Sequence, residues 1–178
     1  MYDIRQMLQL YFIAGTQDCP NPTEDRSQNL LLILEQALQA GITCFQFRDK
    51  SKNSLEDQPN AQKALAIEID ADGVHVGQKD MSPIMIRQMT DKPLIIGLSN
   101  NTLEDLWRSE QMIEVDYCGL GPVFPTNSKE KHNPPIVSIG GVKAEHVATL
   151  KQNGADGIAV ITAISLASDV SQAVKRLL

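Results

Sequence analysis

The sequence predicts an α/β protein: a TIM (βα)8 barrel from which one strand and one or two helices are absent. Three observations predict it. Short, nearly continuous apolar runs recur along the chain, helix-period stretches separate them, and an Asp-containing turn repeats just ahead of the runs. Apolar runs of this kind mark strands buried on both faces of a parallel sheet. Their alternation with amphipathic helices marks repeated βα units.

Seven runs read as strands: Leu10–Gly15, Thr43–Arg48, Gly73–Gly77, Leu94–Ser99, Tyr117–Phe124, Ile136–Gly141 and Gly157–Thr162. Between them, Leu30, Leu31, Leu34, Ala37 and Leu38 share one helical face. Leu103, Leu106 and Trp107 mark a second helix, and Val147 and Leu150 a third. Val170, Ala173, Val174 and Leu177 mark the last, with Ser168 as its candidate N-cap. The turns Ala71-Asp72-Gly73, Val115-Asp116-Tyr117 and Ala155-Asp156-Gly157 each precede a strand. An Asp in such a turn is satisfied by nearby backbone N–H groups, so the repeat reads as architectural.

At 178 residues the chain reads as one domain, 1–178, yet an eight-stranded barrel usually takes about 200 residues or more. Two places are short. From Arg48 to Gly73 a helix, a strand and a further turn are expected, and only one helical stretch is found. From Phe124 to Ile136 the polar, proline-ended PTNSKEKHNPP leaves no room for a packed helix. Segments are therefore expected to be missing between about residues 60 and 68, and between about 132 and 136.

Composition narrows the class. With 42% hydrophobic and 21% charged residues the chain is ordinary globular protein, which excludes disorder. A net charge of −6 weighs against a nucleic-acid coat but permits a local basic pocket. Cys19, Cys44 and Cys118 are odd in number and lack CxxC spacing, which argues against disulfides and a zinc knuckle. The start MYDIRQMLQLYFIAG has no long apolar core of a signal peptide, and no run approaches the ~20 residues of a membrane span. A soluble, cytoplasmic protein is expected.

In a barrel the chemistry sits at the C-terminal ends of the strands. One strand ends Gln46-Phe47-Arg48-Asp49-Lys50, and alternation turns Gln46, Arg48 and Lys50 the same way. An amide and two cations on one face form a clamp for a di- or polyphosphate. Asp80 comes after the next strand, where a carboxylate beside phosphate oxygens suits Mg²⁺; it would equally cap the helix near Ser82-Pro83. His75, inside that strand, reads as a packed histidine rather than a base. Ser99 ends its strand where it can donate to a phosphate or heterocycle, and Asn101 or Thr102 caps the helix beyond. Thr126, Ser128 and Lys129 form a hydroxyl-rich loop that ends in a cation and can close over an anion. Gly140-Gly141 and Thr162-Ala163-Ile164 end the last two strands, where barrels commonly bind a monophosphate. The residues thus describe a barrel for two anionic ligands, one with a metal.

The blocks QFRDK, DGVHVGQKD, GLS, YCGLGPVFPTNSK, SIGG and ADGIAVITAI, in this order, resemble the thiamine-phosphate synthase family from about Leu10 to the C-terminus. The resemblance implies a βα barrel that couples hydroxymethylpyrimidine diphosphate with hydroxyethylthiazole phosphate, giving thiamine phosphate and pyrophosphate. It implies that Gln46, Arg48 and Lys50 bind pyrophosphate, that Asp80 is a Mg²⁺ ligand, and that Ser99 lies near the pyrimidine and leaving group. Lys129 would close on the diphosphate with Thr126 and Ser128. Gly140, Gly141, Ile161 and Thr162 would cradle the thiazole phosphate. Arg48, Lys50, Ser99 and Lys129 are the expected catalytic residues.

The expected partners are these two phosphorylated small molecules, with neither nucleic acid nor membrane, and with homo-oligomer formation left open. The sequence departs from the family in lacking the Asn-Asp-Asp-like motif that ends its third strand. Ala64–Asp72 resembles the family's segment just beyond that motif, so the third strand falls in the first short place. As it stands the chain is expected to have a damaged metal site and to be a poor enzyme. Two other readings are a thiazole tautomerase-like isomerase, which would not need the diphosphate clamp, and a non-catalytic phosphate-ligand binder on a degenerate barrel.

Overall fold

The computed structural model describes residues 3–20, 25–48, 66, 68–121 and 134–178. Its strands are β1 (Leu10–Ala14), β2 (Cys44–Phe47), β3 (Gly73–Val76), β4 (Ile95–Asn100), β5 (Tyr117–Leu120), β6 (Ile136–Ile139) and β7 (Gly157–Val160). Its helices are α1 (Ile4–Met7), α2 (Arg26–Ala40), α3 (Pro83–Met89), α4 (Leu103–Ser109), α5 (Ala144–Gln152), α6 (Thr162–Ser165) and α7 (Val170–Leu177). All seven expected strands are present.

The strands form one parallel sheet in the order β2-β1-β7-β6-β5-β4-β3. This is the cyclic order of a βα barrel. The first strand pairs with the last, Leu10 opposite Ile158, and β3 to β7 run in chain order. Among the described residues one seam is unpaired, between β2 and β3. That is where the strand expected to be missing would stand; residues 49–65 and 67 lie outside the described set. Likewise no described helix lies between β5 and β6; residues 122–133 lie outside the described set.

Period-two alternation sorts the side chains. Tyr11 and Ile13 point into the curled sheet and meet Ile95, Tyr117, Val137 and Ala159. Leu10, Phe12 and Ala14 point outward onto Leu30, Ala37, Val174 and Leu177 of α2 and α7. On the other side, Val76, Ile96, Leu98 and Leu120 pack on Ile86 of α3 and Leu106 of α4.

The helix stripes are narrower than expected. On α2 the stripe runs through Leu30, Ile33, Leu34 and Ala37, which leaves Leu31 and Leu38 on its flanks, exposed. Leu106 is the buried anchor of α4, while Leu103 and Trp107 face solvent. The N-cap of α7 is Asp169, which accepts from Gln172 N, and not Ser168. Thr102 caps α4 in a reciprocal capping box with Asp105.

The repeated Asp turns pin neighbouring strands. Asp116 Oδ2 accepts from Ile96 N at 2.7 Å, and Asp156 Oδ2 accepts from Ile136 N at 2.9 Å. Arg87 of α3 adds to the first pin by reaching Asp116 Oδ2 at 2.5 Å and the Glu114 carbonyl at 3.0 Å. The architectural reading of these turns holds at both positions.

Segment α1 fixes which end of the sheet is open. Leu8 is fully buried, and Ile4 and Met7 pack with it against the inner cluster at the N-terminal ends of the strands. The Leu8 carbonyl sits so close that a Cβ on Gly157 would stand 1.8 Å from it. The C-terminal ends are left as the open rim.

Candidate active site

At that rim lies a hollow of about 290 Å³ lined by Ser99, Asn101, Gly119, Gly121, Ile139 and Gly140, among others. It spans the ends of β4, β5 and β6. At the inward Gly119 of β5 a Cβ would come 3.2 Å from a ring that enters from β3. That ring is His75.

The His75 imidazole lies inside the sheet, bonded on both sides. Nε2 is 2.7 Å from Ser99 Oγ, and Nδ1 is 2.9 Å from Tyr117 OH. Tyr117 OH is in turn 3.1 Å from Tyr11 OH, and the Cys44 thiol lies close enough to Tyr11 to act on it. A polar chain therefore crosses the interior from β1 to β4. Burial depresses the His75 pKa first, the nearby Arg48 guanidinium adds to this and Asp80 opposes it; the result is about 4, so the ring is neutral near pH 7. The structure agrees with a packed histidine, but one whose polar partners lead to the hollow.

Asn100 supports the Ser99 end from behind. It is buried, donates to the Leu98 carbonyl at 3.1 Å, and accepts from Ser109 Oγ at 2.6 Å. Gln78 reaches across from the end of β3 and donates to the Ser99 carbonyl at 2.8 Å. Gln78, Asn100 and Tyr117 are site residues that sequence reasoning missed. Only the Gln beside the strand-end Asp80 gave a signal for any of them.

The structure describes most of the expected site residues, at or just past the C-terminal ends of the strands, and leaves four outside the described set. Gln46 is half-buried on β2, opposite Ile13. Arg48 is exposed one residue past β2, its backbone held by a bond from its N to Ala14 O at 3.0 Å and by Gln17 Nε2 on its carbonyl at 2.8 Å. Asp80 is exposed, and its Oδ2 accepts from Gly77 N at 2.8 Å, closing the turn after β3. It does not cap the next helix; Ser82 does, accepting from Met85 N.

Arg48 and Asp80 follow the ends of β2 and β3, where their charges act on the imidazole that is bonded to Ser99. Gly140 shares the hollow with Ser99. Gly140 and Gly141 have φ of 109° and 63°, the left-handed region that favours glycine. Ile161 and exposed Thr162 come directly after the neighbouring strand β7 and open α6. Lys50, Thr126, Ser128 and Lys129 lie outside the described residues.

Among the described residues no three His, Cys, Asp or Glu side chains cluster as a metal cage. No described helix is long and apolar enough to cross a membrane. The rim can hold anions beside a neutral, hydrogen-bonded interior.

The family model described as thiamine monophosphate synthase matches residues 59–164. A thiamine-phosphate synthase of Actinobacillus pleuropneumoniae serotype 7 (strain AP76) is 81% identical over 218 aligned positions, covering 100% of both chains. One from Haemophilus influenzae is 49% identical, covering 99% of this chain and 96% of that protein. Among solved structures, the thiamine phosphate pyrophosphorylase from Pyrococcus furiosus aligns with a TM-score of 0.76 and 27% identity, covering 98% of this chain and 96% of that one.

Proposed function

Since the chain belongs to the thiamine-phosphate synthase family of transferases, we propose how its residues divide that reaction among themselves. Gln46, Arg48 and Lys50 take the diphosphate of hydroxymethylpyrimidine diphosphate, and Ser99 lies beside the pyrimidine. Gly140, Gly141, Ile161 and Thr162 cradle the hydroxyethylthiazole phosphate through backbone N–H groups. The thiazole nitrogen attacks the pyrimidine methylene carbon as its bond to the diphosphate oxygen breaks. Arg48, Lys50 and Lys129, with Thr126 and Ser128 in the same loop, stabilise the charge that grows on the leaving pyrophosphate. No covalent enzyme intermediate is required. The observation that supports this reading is that Ser99 and Gly140 line one hollow at the rim, with Arg48 and Asp80 just past the ends of β2 and β3 and acting on the imidazole bonded to Ser99.

Mg²⁺ is the expected metal. It binds well to one or two carboxylates completed by phosphates and waters. An exposed Asp80, with one oxygen oriented by Gly77 N, fits that sharing of ligands with a diphosphate. When bound, the ion neutralises charge on the leaving group.

Two segments are proposed to be missing, at the seams near residues 60–68 and 132–136. The 218 aligned positions exceed the 178 residues here by 40, and the alignment covers both chains completely, which supports internal losses. The unpaired seam between β2 and β3 supports the first. Slow turnover is expected in consequence.

The test is pyrophosphate release with both substrates and Mg²⁺. Release that needs both substrates, matched by thiamine phosphate, supports the reading. Conversion of the thiazole phosphate alone would favour a tautomerase-like isomerase. Binding of both ligands without release would favour a non-catalytic binder.

A further inference from the structure

We propose that His75 is a positioning residue: as its Nδ1–H tautomer it accepts the Ser99 O–H and so turns the Ser99 oxygen lone pairs toward the hollow. The inference rests on the reading of Ser99 as a ligand contact beside the pyrimidine, whose exocyclic amino group such lone pairs would accept from.

The direction is set by the groups at the two ends of the chain of bonds. Four groups are linked, Ser99, His75, Tyr117 and Tyr11, with the Cys44 thiol beside Tyr11. Protons can be ordered along it in two ways. In one, Ser99 donates to Nε2, Nδ1–H to Tyr117, Tyr117 to Tyr11, and Tyr11 to the Cys44 sulfur. In the other every bond reverses, and the thiol must donate to a phenol. A thiol is a weak donor and a phenol a good one, so the first order avoids the weak link.

The slot is built for this ring. Gly97 of β4 stands between His75 and Tyr117, and a Cβ there would lie 2.4 Å from Nδ1 and 2.4 Å from the Tyr117 hydroxyl. A Cβ on Gly119 would come within 3.2 Å of the imidazole Cε1. Neither glycine has a φ in the left-handed region. At Gly97 the imidazole and the Tyr117 ring, not backbone freedom, require glycine, and a Cβ on Gly119 would crowd the imidazole. Gln78 and Asn100 fix the backbone around Ser99, so the hydroxyl is the remaining degree of freedom, and His75 sets it.

Two measurements on the full chain test this. In ¹⁵N-histidine NMR of the ligand-free protein, His75 should show a protonated Nδ1 and a bare Nε2. Ser99→Ala should move the Nε2 signal and leave Nδ1 protonated. A protonated Nε2 in the native protein, or no response to Ser99→Ala, would overturn the proposal. This readout does not depend on turnover, so it stands even if pyrophosphate release fails and the functional reading with it.

The second measurement is a kinetic cycle. Tyr117→Phe keeps the packing but removes the acceptor for Nδ1–H, and should lower kcat about tenfold with KM for the thiazole phosphate unchanged. The double variant Ser99→Ala/Tyr117→Phe should be no slower than Ser99→Ala alone. His75→Gln, which keeps a polar atom for Ser99, should recover activity lost in His75→Leu. An additive loss in the double variant would mean that Tyr117 and His75 merely support the fold, and would overturn the proposal.

Discussion

The ring of Tyr117 occupies the space that a side chain on Gly97 would need: a Cβ there would stand 2.1 Å from Tyr117 Cζ. The two residues are register partners on β4 and β5, so neither can move away without breaking the ladder. Gly97→Ala should therefore destabilise the protein by about 1–3 kcal/mol through overpacking. Thermal denaturation reads this directly, and a melting temperature equal to that of the native protein would contradict the packing described. Tyr117→Phe, which removes no volume beyond the hydroxyl, should cost less.

Stability should fall in acid through His75. Its folded pKa is lowered from the usual 6.5 to about 4. Between those values the unfolded chain binds a proton that the folded chain does not, so stability drops as pH falls from 6.5 toward 4, then levels off. Denaturant midpoints measured across that window should show the loss, and His75→Gln should lack this component. Equal pH slopes in the two proteins would remove His75 as the cause.

Arg48→Ala should lower turnover about 100-fold, the scale seen when one preorganised charge-stabilising donor is removed. The side chain is exposed and the backbone bond to Ala14 does not involve it, so the fold should be intact by circular dichroism. Unchanged turnover would take the guanidinium out of the mechanism.

Gly140→Ala places a Cβ on a residue with φ of 109°. Adjustment of that backbone should weaken binding of the thiazole phosphate while leaving pyrophosphate binding unaltered, as calorimetry with each ligand would report. Equal weakening of both would mean that the two sites are not separate.

The strands were legible because each is a short apolar run between turn residues, and both faces of most strands are buried. The Asp turns were legible because Asp before a strand has few other uses. The helix faces were less so. Periodicity gives a stripe of apolar residues, but contact with the sheet decides which edge of the stripe is buried, and Leu31, Leu38 and Trp107 fell on the solvent side. At the site, strand-end residues such as Arg48 and Ser99 could be named because strand ends converge in this architecture. The interior chain of bonds could not. Tyr11, Cys44, His75 and Tyr117 are spread over four strands, and each alone looks like a core residue. Only the register that sets His75 opposite Gly97 and Gly97 opposite Tyr117 makes them one network.

The central claim is that one rim holds two phosphorylated reactants side by side. A crystal structure with thiamine phosphate, pyrophosphate and Mg²⁺ tests it most directly. The account predicts the pyrophosphate between Arg48 and Asp80 and the single phosphate on Gly140 and Gly141, with the pyrimidine beside Ser99. Phosphate density away from this rim, or both groups competing for one position, would contradict it.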